Sequence, residues 1–445
     1  MSDESGKHDD PTSPSRLAQL DLALTSLRPR TSPRMGTRAT IDRALAPLKA
    51  RQAKPLPRER TALAAWFWEI DRVLLGLIIV LIAIGLVAVA AASPVGAIDR
   101  STSDVAVNPL HYFYRHLMWI SVGMVVMIAA SMLPRAQARR VAVGLALIFG
   151  ICLILVPLVG TQINGATRWL GGAALRFQPS EFLKPVYVVA IAWLLSLKAR
   201  DASLPVVPLT GMLTGIVALL LMRQPDFGQT VVFCCMWAVL VLMAGESMKL
   251  MGGIGAAGIG LFVLTYLFYE NGRQRIDAFL RPVQDPAAGP DQVELAYRTI
   301  THGGLFGVGP GGGTAKFNLP EAHTDYIFSV IGEEFGLIAC IAIAVVYFAI
   351  VARVLWRLLD EEDPFIILAA GGLAIEMAMQ AIINIGVNVQ LFPSKGMTLP
   401  FISYGGSSMI ALCGGVGLLL AFTRRNPYMA RSSNVMAQGT GRSSR

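Results

Sequence analysis

Apolar residues in this chain fall into long runs separated by short polar segments, not into the periodic stripes that mark soluble helices or strands. A helix needs about 20 mostly apolar residues to cross the hydrocarbon of a bilayer, where the backbone must satisfy its own hydrogen bonds. Ten runs answer that description, over residues 74–92, 117–133, 141–159, 182–197, 206–222, 228–244, 248–268, 326–355, 364–389 and 408–422. The pattern predicts an all-α integral membrane protein of about ten transmembrane helices, with a large extracytoplasmic loop, residues 269–325, between the seventh and eighth.

Basic residues in short loops favour the cytoplasm. Arg135, Arg139 and Arg140 follow the second run, Lys198 and Arg200 the fourth and Lys249 the sixth, while Arg353 and Arg357 close the eighth and Arg424 and Arg425 the tenth. With ten spans, all of these fall on the side of the amino terminus, so both termini are expected in the cytoplasm. Residues 160–181, 223–227, 269–325 and 390–407 then face outward. They hold nearly all the unusual polar sequence, and chemistry is expected there.

Composition sharpens the class. Of 445 residues, 54% are hydrophobic and 15% charged, against about a quarter charged in a soluble domain. The net charge of +9 raises the question of nucleic acid, but the cations gather in the amino-terminal segment and in loops where topology already calls for them, so no nucleic-acid partner is expected. Residues 1–65, rich in Ser, Thr, Pro, Arg and Ala, are expected to form a disordered basic cytoplasmic tail suited to anionic membrane lipids. No signal peptide is expected, because the first apolar run starts late and is too long. Residues 66–425 are expected to form the membrane domain, and residues 426–445 a short cytoplasmic tail. Cys152, Cys234, Cys235, Cys340 and Cys413 lie inside apolar runs without ligand spacing, which suits small buried hydrophobes rather than a metal site.

Four constellations are candidates for chemistry. Arg168-Trp169 precedes Gln178-Pro-Ser180-Glu181-Phe-Leu-Lys184 at the entrance to the fourth run. Glu181 and Lys184 share a helix face, and charges at membrane depth are costly unless they pair or face a wet cavity. They either hold helices together or line a functional site, and the two roles are compatible. The outer loop carries Asp277, Asp285 and Asp291. Its glycine-rich stretch, 303–313, lacks the Gly-Lys-Ser/Thr ending and the preceding strand of a phosphate-binding loop, so close-packed backbone is the better reading. Pro320-Glu321-Ala-His323-Thr-Asp325 offers three polar side chains without the helical spacing of a zinc site, which favours a structural or substrate-contacting role. Gln380 and Asn384, with the Gly- and Pro-broken stretch from Ser394-Lys395-Gly396 to Ser403-Tyr-Gly-Gly-Ser-Ser408, are expected to wall the same cavity as Glu181 and Lys184.

Together with Gln224-Pro-Asp226-Phe-Gly228, these segments resemble the SEDS family (shape, elongation, division and sporulation) of bacterial peptidoglycan glycosyltransferases. The match runs in the family's order through nearly the whole apolar part of the chain and leaves out the first sixty-odd residues. Pro-Glu-Ala-His323-Thr-Asp and Ser394-Lys395-Gly396-Met-Thr-Leu-Pro look like the division branch rather than the elongation branch. The resemblance implies ten helices in the bacterial inner membrane, placed at the division septum, and polymerisation of lipid II on the outer face.

That resemblance also suggests roles. An aspartate in an Asp-Pro context in the outer loop is the proposed general base, and the matching position is Asp285. The family's following Gly-Tyr-Gln is replaced here by Ala296-Tyr-Arg298 after a longer stretch, which makes Asp291 the second candidate. Arg168 and Lys184 would hold the pyrophosphate, with or without a divalent cation such as Mg2+ or Mn2+, and Gln178, Ser180, Glu181, His323, Lys395 and Ser403 would contact substrate. The implied partners are a class B penicillin-binding protein, whose membrane helix would dock on spans eight and nine, and other division proteins. A lipid II flippase using the intramembrane charges and a non-catalytic scaffold are the alternatives.

Overall fold

A computed structural model describes residues 62–100, 107–163, 166–172, 176–280, 291–393 and 396–424. The expected amino-terminal tail, the carboxy-terminal tail, Asp285 and Lys395 lie outside the described residues. The account below concerns the compact unit that starts at Trp66.

Each expected run is a helix. After the short α1 (Ala62–Glu69) come α2 (Arg72–Arg100), α3 (His111–Met132), α4 (Arg135–Val159), α5 (Pro179–Ser196), α6 (Val206–Arg223), α7 (Phe227–Met243) and α8 (Met248–Phe268). The outer loop contributes α9 (Glu270–Leu280) and α10 (Gln292–His302), and the chain closes with α11 (Ile327–Leu358), α12 (Pro364–Asn388) and α13 (Gly406–Phe422). Eight of these helices are long and apolar enough to cross a membrane, and α7 and α13 are shorter apolar helices of 17 residues, near the lower limit for a span.

The helices α5 and α12 form the centre of the bundle. Both are buried along most of their length, and they pack on each other, with α4, α7, α11 and α13 around them. By contrast, α8 buries only Thr265 and turns Ile259, Phe262 and Phe268 outward. In water such a surface would drive aggregation; in a bilayer it is solvated by acyl chains.

Ion pairs at one end check the expected parity of the spans. Asp71, just before α2, caps the helix by accepting from Val73 N and Leu74 N, and its Oδ2 receives Arg353 at 2.9 Å and Arg357 at 2.8 Å from the end of α11. Arg135, at the start of α4, pairs with Glu361 at 3.2 Å, and Arg424 donates to Ser131 O at 3.1 Å. Arg424 also pairs with Glu69 at 3.5 Å and Trp66 Nε1 donates to Ser131 Oγ at 2.8 Å, so the ends of the second, eighth and tenth runs meet the start of the first, as an even count requires.

Two features depart from an all-helix expectation. Residues between α4 and α5 form a small antiparallel sheet, β1 (Thr161–Ile163), β2 (Ala166–Gly171) and β3 (Arg176–Phe177), in the order β1-β2-β3. Its strands are too short for a period-two signal to stand out beside twenty-residue apolar runs. Second, α11 is broken at Gly336, whose φ of 79° and ψ of 178° are non-helical. The glycine-rich loop fills the break: Val308 N donates to Glu333 O and Gly309 N to Glu334 O, while Leu337 N and Ile338 N donate to Gly304 O and Leu305 O. Backbone groups freed inside a membrane must find partners, and the loop supplies them. A Cβ on Gly336 would stand 2.3 Å from Leu305 O, and one on Gly307 2.2 Å from Glu334 O, so this close-packed backbone needs glycine on both sides of the contact.

Candidate functional site

The first turn of α5 carries Ser180, Glu181 and Lys184 into the bundle. Lys184 is 2% exposed and donates to Glu181 Oε1 at 2.9 Å, and the same oxygen accepts from Gln229 Nε2 of α7 at 2.6 Å. From α12, Glu376 accepts from Gln380 and stands within electrostatic reach of both Lys184 and Glu181. Lys184 is thus paired with Glu181, and a second buried carboxylate, Glu376, lies within electrostatic range. Desolvation makes that arrangement expensive as scaffolding alone.

Arg168 and Gln178 sit beside this group but face the turn between α6 and α7. Arg168 on β2 donates to Gln224 O at 3.2 Å and to Pro225 O, and lies 3.7 Å from Asp226 Oδ2. Gln178 donates to the same Asp226 oxygen at 3.3 Å. Pro225 has a φ of 29°, so the turn these side chains clamp is strained. Arg168 is therefore engaged with protein carbonyls, while Lys184 lies deeper.

The segment before α11 forms the next wall. His323 is buried and stacks on Tyr112 at 3.9 Å between ring centroids, with Tyr404 5.7 Å away. Its carbonyl accepts from Tyr404 N at 2.9 Å, which ties this segment to the stretch before α13. Asp325 is half-buried; its carbonyl accepts from Asn384 and Asn388 of α12 at 2.8 and 3.2 Å, and Asn384 also donates to Met397 O at 2.6 Å. Gln380 thus bonds Glu376, and Asn384 ties the broken stretch at Met397 to the segment that carries Asp325. Ser403, however, uses its hydroxyl to accept from Leu399 N at 2.7 Å, fixing its own turn, and Ser180 is almost fully buried.

Burial pushes the Asp325 carboxyl up to about 7, with Glu321 and Glu181 adding repulsion. Burial also holds the His323 imidazole down to about 4, against the pull of Glu321 and with the help of Arg100. The two shifts oppose each other in pH. A histidine kept neutral in the fold costs nothing above its ordinary value of 6.5 and costs stability as pH falls from 6.5 to about 4. Asp325, kept protonated, costs stability as pH rises from its ordinary 3.8 to about 7. Replacing His323 by Gln is expected to flatten the acid limb of a stability profile measured by thermal unfolding in detergent, leaving the Asp325 limb; an unchanged slope between pH 6.5 and 4 would show that His323 does not titrate in this way.

Among the described residues no group of three or more His, Cys, Asp or Glu side chains is placed to hold a metal ion.

A family model described as "Cell cycle protein", covering FtsW, RodA and SpoVE, matches residues 71–428. The chain belongs to this family. Among curated relatives it is 37% identical over 369 residues to the "Probable peptidoglycan glycosyltransferase FtsW" of Caulobacter vibrioides, covering 83% of this chain and 93% of the relative. It is 33% identical over 382 residues to the protein of the same name in Hydrogenovibrio crunogenus, covering 84% and 97%. Among solved structures it resembles a chain of a peptidoglycan synthase complex that coordinates polymerization and crosslinking, with a TM-score of 0.64 and 27% identity over 80% of this chain and 97% of that one. Thermus thermophilus RodA gives a TM-score of 0.59, also at 27% identity, with 80% and 96% covered.

The motifs single out Glu181, Lys184, His323 and Asp325 but not Glu376 or Gln229. Glu376 is visible as a charge in an apolar run; Gln229 joins Glu181 only because α5 and α7, remote in sequence, converge.

Proposed function

We propose that the chain is a peptidoglycan glycosyltransferase of the FtsW type, polymerising lipid II on the outer face of the bacterial inner membrane during septal cell-wall synthesis. The observation that supports this reading is the buried Glu181–Lys184 pair in the first turns of α5, with Glu376 in electrostatic range, in a chain whose relatives are named for this activity. The basic residues at the opposite end support a cytoplasmic placement for that end and for both termini.

In this reading the carboxylate of Asp285 takes the proton from the acceptor sugar hydroxyl. The hydroxyl oxygen bonds to the anomeric carbon of the donor, and the bond from that carbon to undecaprenyl pyrophosphate breaks. The pyrophosphate departs with its negative charge, which Lys184 stabilises as it develops; Arg168 supports it indirectly by holding the adjacent turn. Residues 281–290, which carry Asp285, run between α9 and α10. The α10 end is anchored, because Val293 and Ala296 are buried with Leu319, Tyr326 and Val330 in an apolar cluster below the loop. Lys395, His323 and Ser403 are the further proposed substrate contacts.

A class B penicillin-binding protein is the proposed partner. The outward apolar stripe of α11, including Ile338, Ile341, Val345 and Phe348, fits a single membrane helix. Transport of lipid II is the second reading, favoured by the charged group at membrane depth.

The deciding experiment is polymerisation of labelled lipid II by the chain purified with its transpeptidase partner. Synthesis by wild type that is lost in Asp285→Asn supports the polymerase; vesicle flipping that needs Glu181 and Lys184, with synthesis absent in wild type, supports transport. A second comparison separates chemistry from scaffolding. Lys184→Met is expected to destabilise by roughly 3–5 kcal/mol, because it strands Glu181, whereas Glu181→Gln with Lys184→Met recovers most of that stability. The double variant is expected to fold, by thermal unfolding in detergent, and to make no glycan; normal synthesis would remove Lys184 from the mechanism.

A further inference from the structure

Asp325, just ahead of Tyr326 and α11, stands where three elements meet. Asn384 and Asn388 of α12 pin its backbone by donating to its carbonyl. Asn384 also donates to Met397 O, which draws the stretch before α13 alongside, and a Cβ on Gly396 would meet Asp325 Oδ2 at 3.4 Å. On α5, Glu181 of the buried Glu181–Lys184 pair lies within electrostatic range. The Asp325 side chain is partly accessible, and its carboxyl makes no hydrogen bond or ion pair among the described residues.

The surroundings have the wrong sign for a carboxylate. Burial, Glu321 in the same segment and Glu181 on α5 all disfavour its charge. The described cations of the site are taken: Lys184 pairs with Glu181, and Arg168 lies against Asp226 and the α6–α7 turn. From α12 come the amides of Asn384 and Asn388, while its one acidic residue, Glu376, is set toward Lys184 and Glu181. His323 is kept neutral by burial, and Lys395, next to Gly396, lies outside the described residues. A carboxyl that faces two others without a described cation of its own is more stable with its proton, and here it holds that proton up to about pH 7. A protonated carboxyl donates a hydrogen bond, which a carboxylate cannot.

We infer that Asp325, in its protonated form, is a further catalytic residue whose O–H donates a hydrogen bond to a non-bridging oxygen of the lipid II diphosphate, beside Lys184. The inference rests on the polymerase reading for its substrate. An anion suits the place, because a neutral carboxyl accepts one where a carboxylate would repel it. The hydrogen bond strengthens as the diphosphate takes up negative charge on breaking from the anomeric carbon, so it favours the transition state over bound substrate. The proton stays on Asp325 throughout, while the proton of the acceptor hydroxyl goes to Asp285. The two aspartates therefore act in opposite states, Asp285 ionised and Asp325 neutral, as environments that push two carboxyls apart allow.

Glycan synthesis from labelled lipid II by the full chain with its transpeptidase partner, followed across neutral pH, tests this. Wild type is expected to lose synthesis as the pH rises through about 7 and Asp325 ionises. Asp325→Asn keeps an N–H donor and cannot ionise; it is expected to lose about threefold below neutral pH, to lack the decline and so to overtake wild type at alkaline pH. Asp325→Ala, folded by thermal unfolding in detergent, is expected to lose about 10²-fold in kcat. An Asn variant as silent as the Ala variant would show that a carboxylate is needed and overturn the donor role. So would a decline that survives in Asp325→Asn, or wild type without a decline, the result if Lys395 pairs with the carboxyl and keeps it ionised. Wild-type synthesis by Asp325→Ala would remove the residue from the reaction. If wild type makes no glycan at any pH, the polymerase reading fails by itself, and binding of labelled lipid II to the purified chain decides the contact. Affinity about tenfold weaker one pH unit above 7 than one unit below, in wild type but not in Asp325→Asn, keeps Asp325 as a diphosphate contact; the same pH dependence in both removes it.

Discussion

Asp285→Asn is expected to abolish glycan synthesis, by about 10²–10⁴-fold if the carboxylate is the general base, while leaving the thermal unfolding of the protein unchanged. The control is Asp291→Asn. Asp291 is the N-cap of α10 and accepts from Gln292 N at 2.8 Å, so its carboxylate already has a structural task. Asparagine caps a helix about as well as aspartate, and Asp291→Asn is therefore expected to keep both fold and synthesis. The pair is informative because the two carboxylates lie six residues apart in one loop. Synthesis lost in Asp291→Asn and kept in Asp285→Asn would exchange their roles; synthesis kept in both would place the base outside this loop, with Asp325, raised to about 7 beside the charged group, as the next residue to replace.

Glu333→Ala is expected to destabilise the outer half of the protein by roughly 3–5 kcal/mol, the cost of unpairing a buried ion and its donors. Glu333 is fully buried. Its Oε1 accepts from Thr314 N and Ala315 N, both at 2.8 Å, and its Oε2 from Lys316 N at 3.0 Å. His302 Nδ1 lies 2.9 Å from Oε1. One side chain thus gathers the start of the 3-10 turn Ala315–Asn318, the end of α10 and the outer segment of α11. Alanine leaves three backbone donors without that acceptor, one of them buried and two partly buried. Glutamine keeps one acceptor and is expected to lose less. Thermal unfolding in detergent gives the stability change, and hydrogen exchange at residues 303–318 shows where it falls. A loss below about 1 kcal/mol would mean that the glycine contacts across Gly336 hold this region without Glu333.

The long apolar runs of the chain were enough to locate the eight helices of membrane-spanning length and the two shorter apolar ones, because the bilayer imposes a long apolar window that short-range features do not obscure. Helix ends were less legible. The expected second span, 117–133, begins at His111, since His111-Tyr-Phe-Tyr is polar enough to fail an apolar window yet folds as helix with Tyr112 buried against His323. The sheet around Arg168 was invisible because its strands are too short for a period-two signal, and the break at Gly336 because the glycine-rich loop that fills it comes from another part of the chain.

The site divides in the same way. Sequence alone determined the membrane class, the ten apolar helical runs, the family resemblance and the i, i+3 pairing of Glu181 with Lys184, because each depends on residue type or local spacing. Only the tertiary structure decided that Gln229 and Glu376 share that pair, that Arg168 is occupied by the α6–α7 turn, and that Glu333 and Glu334 lock the outer loop. A buried charge finds its partners across helices, at separations that no local pattern encodes.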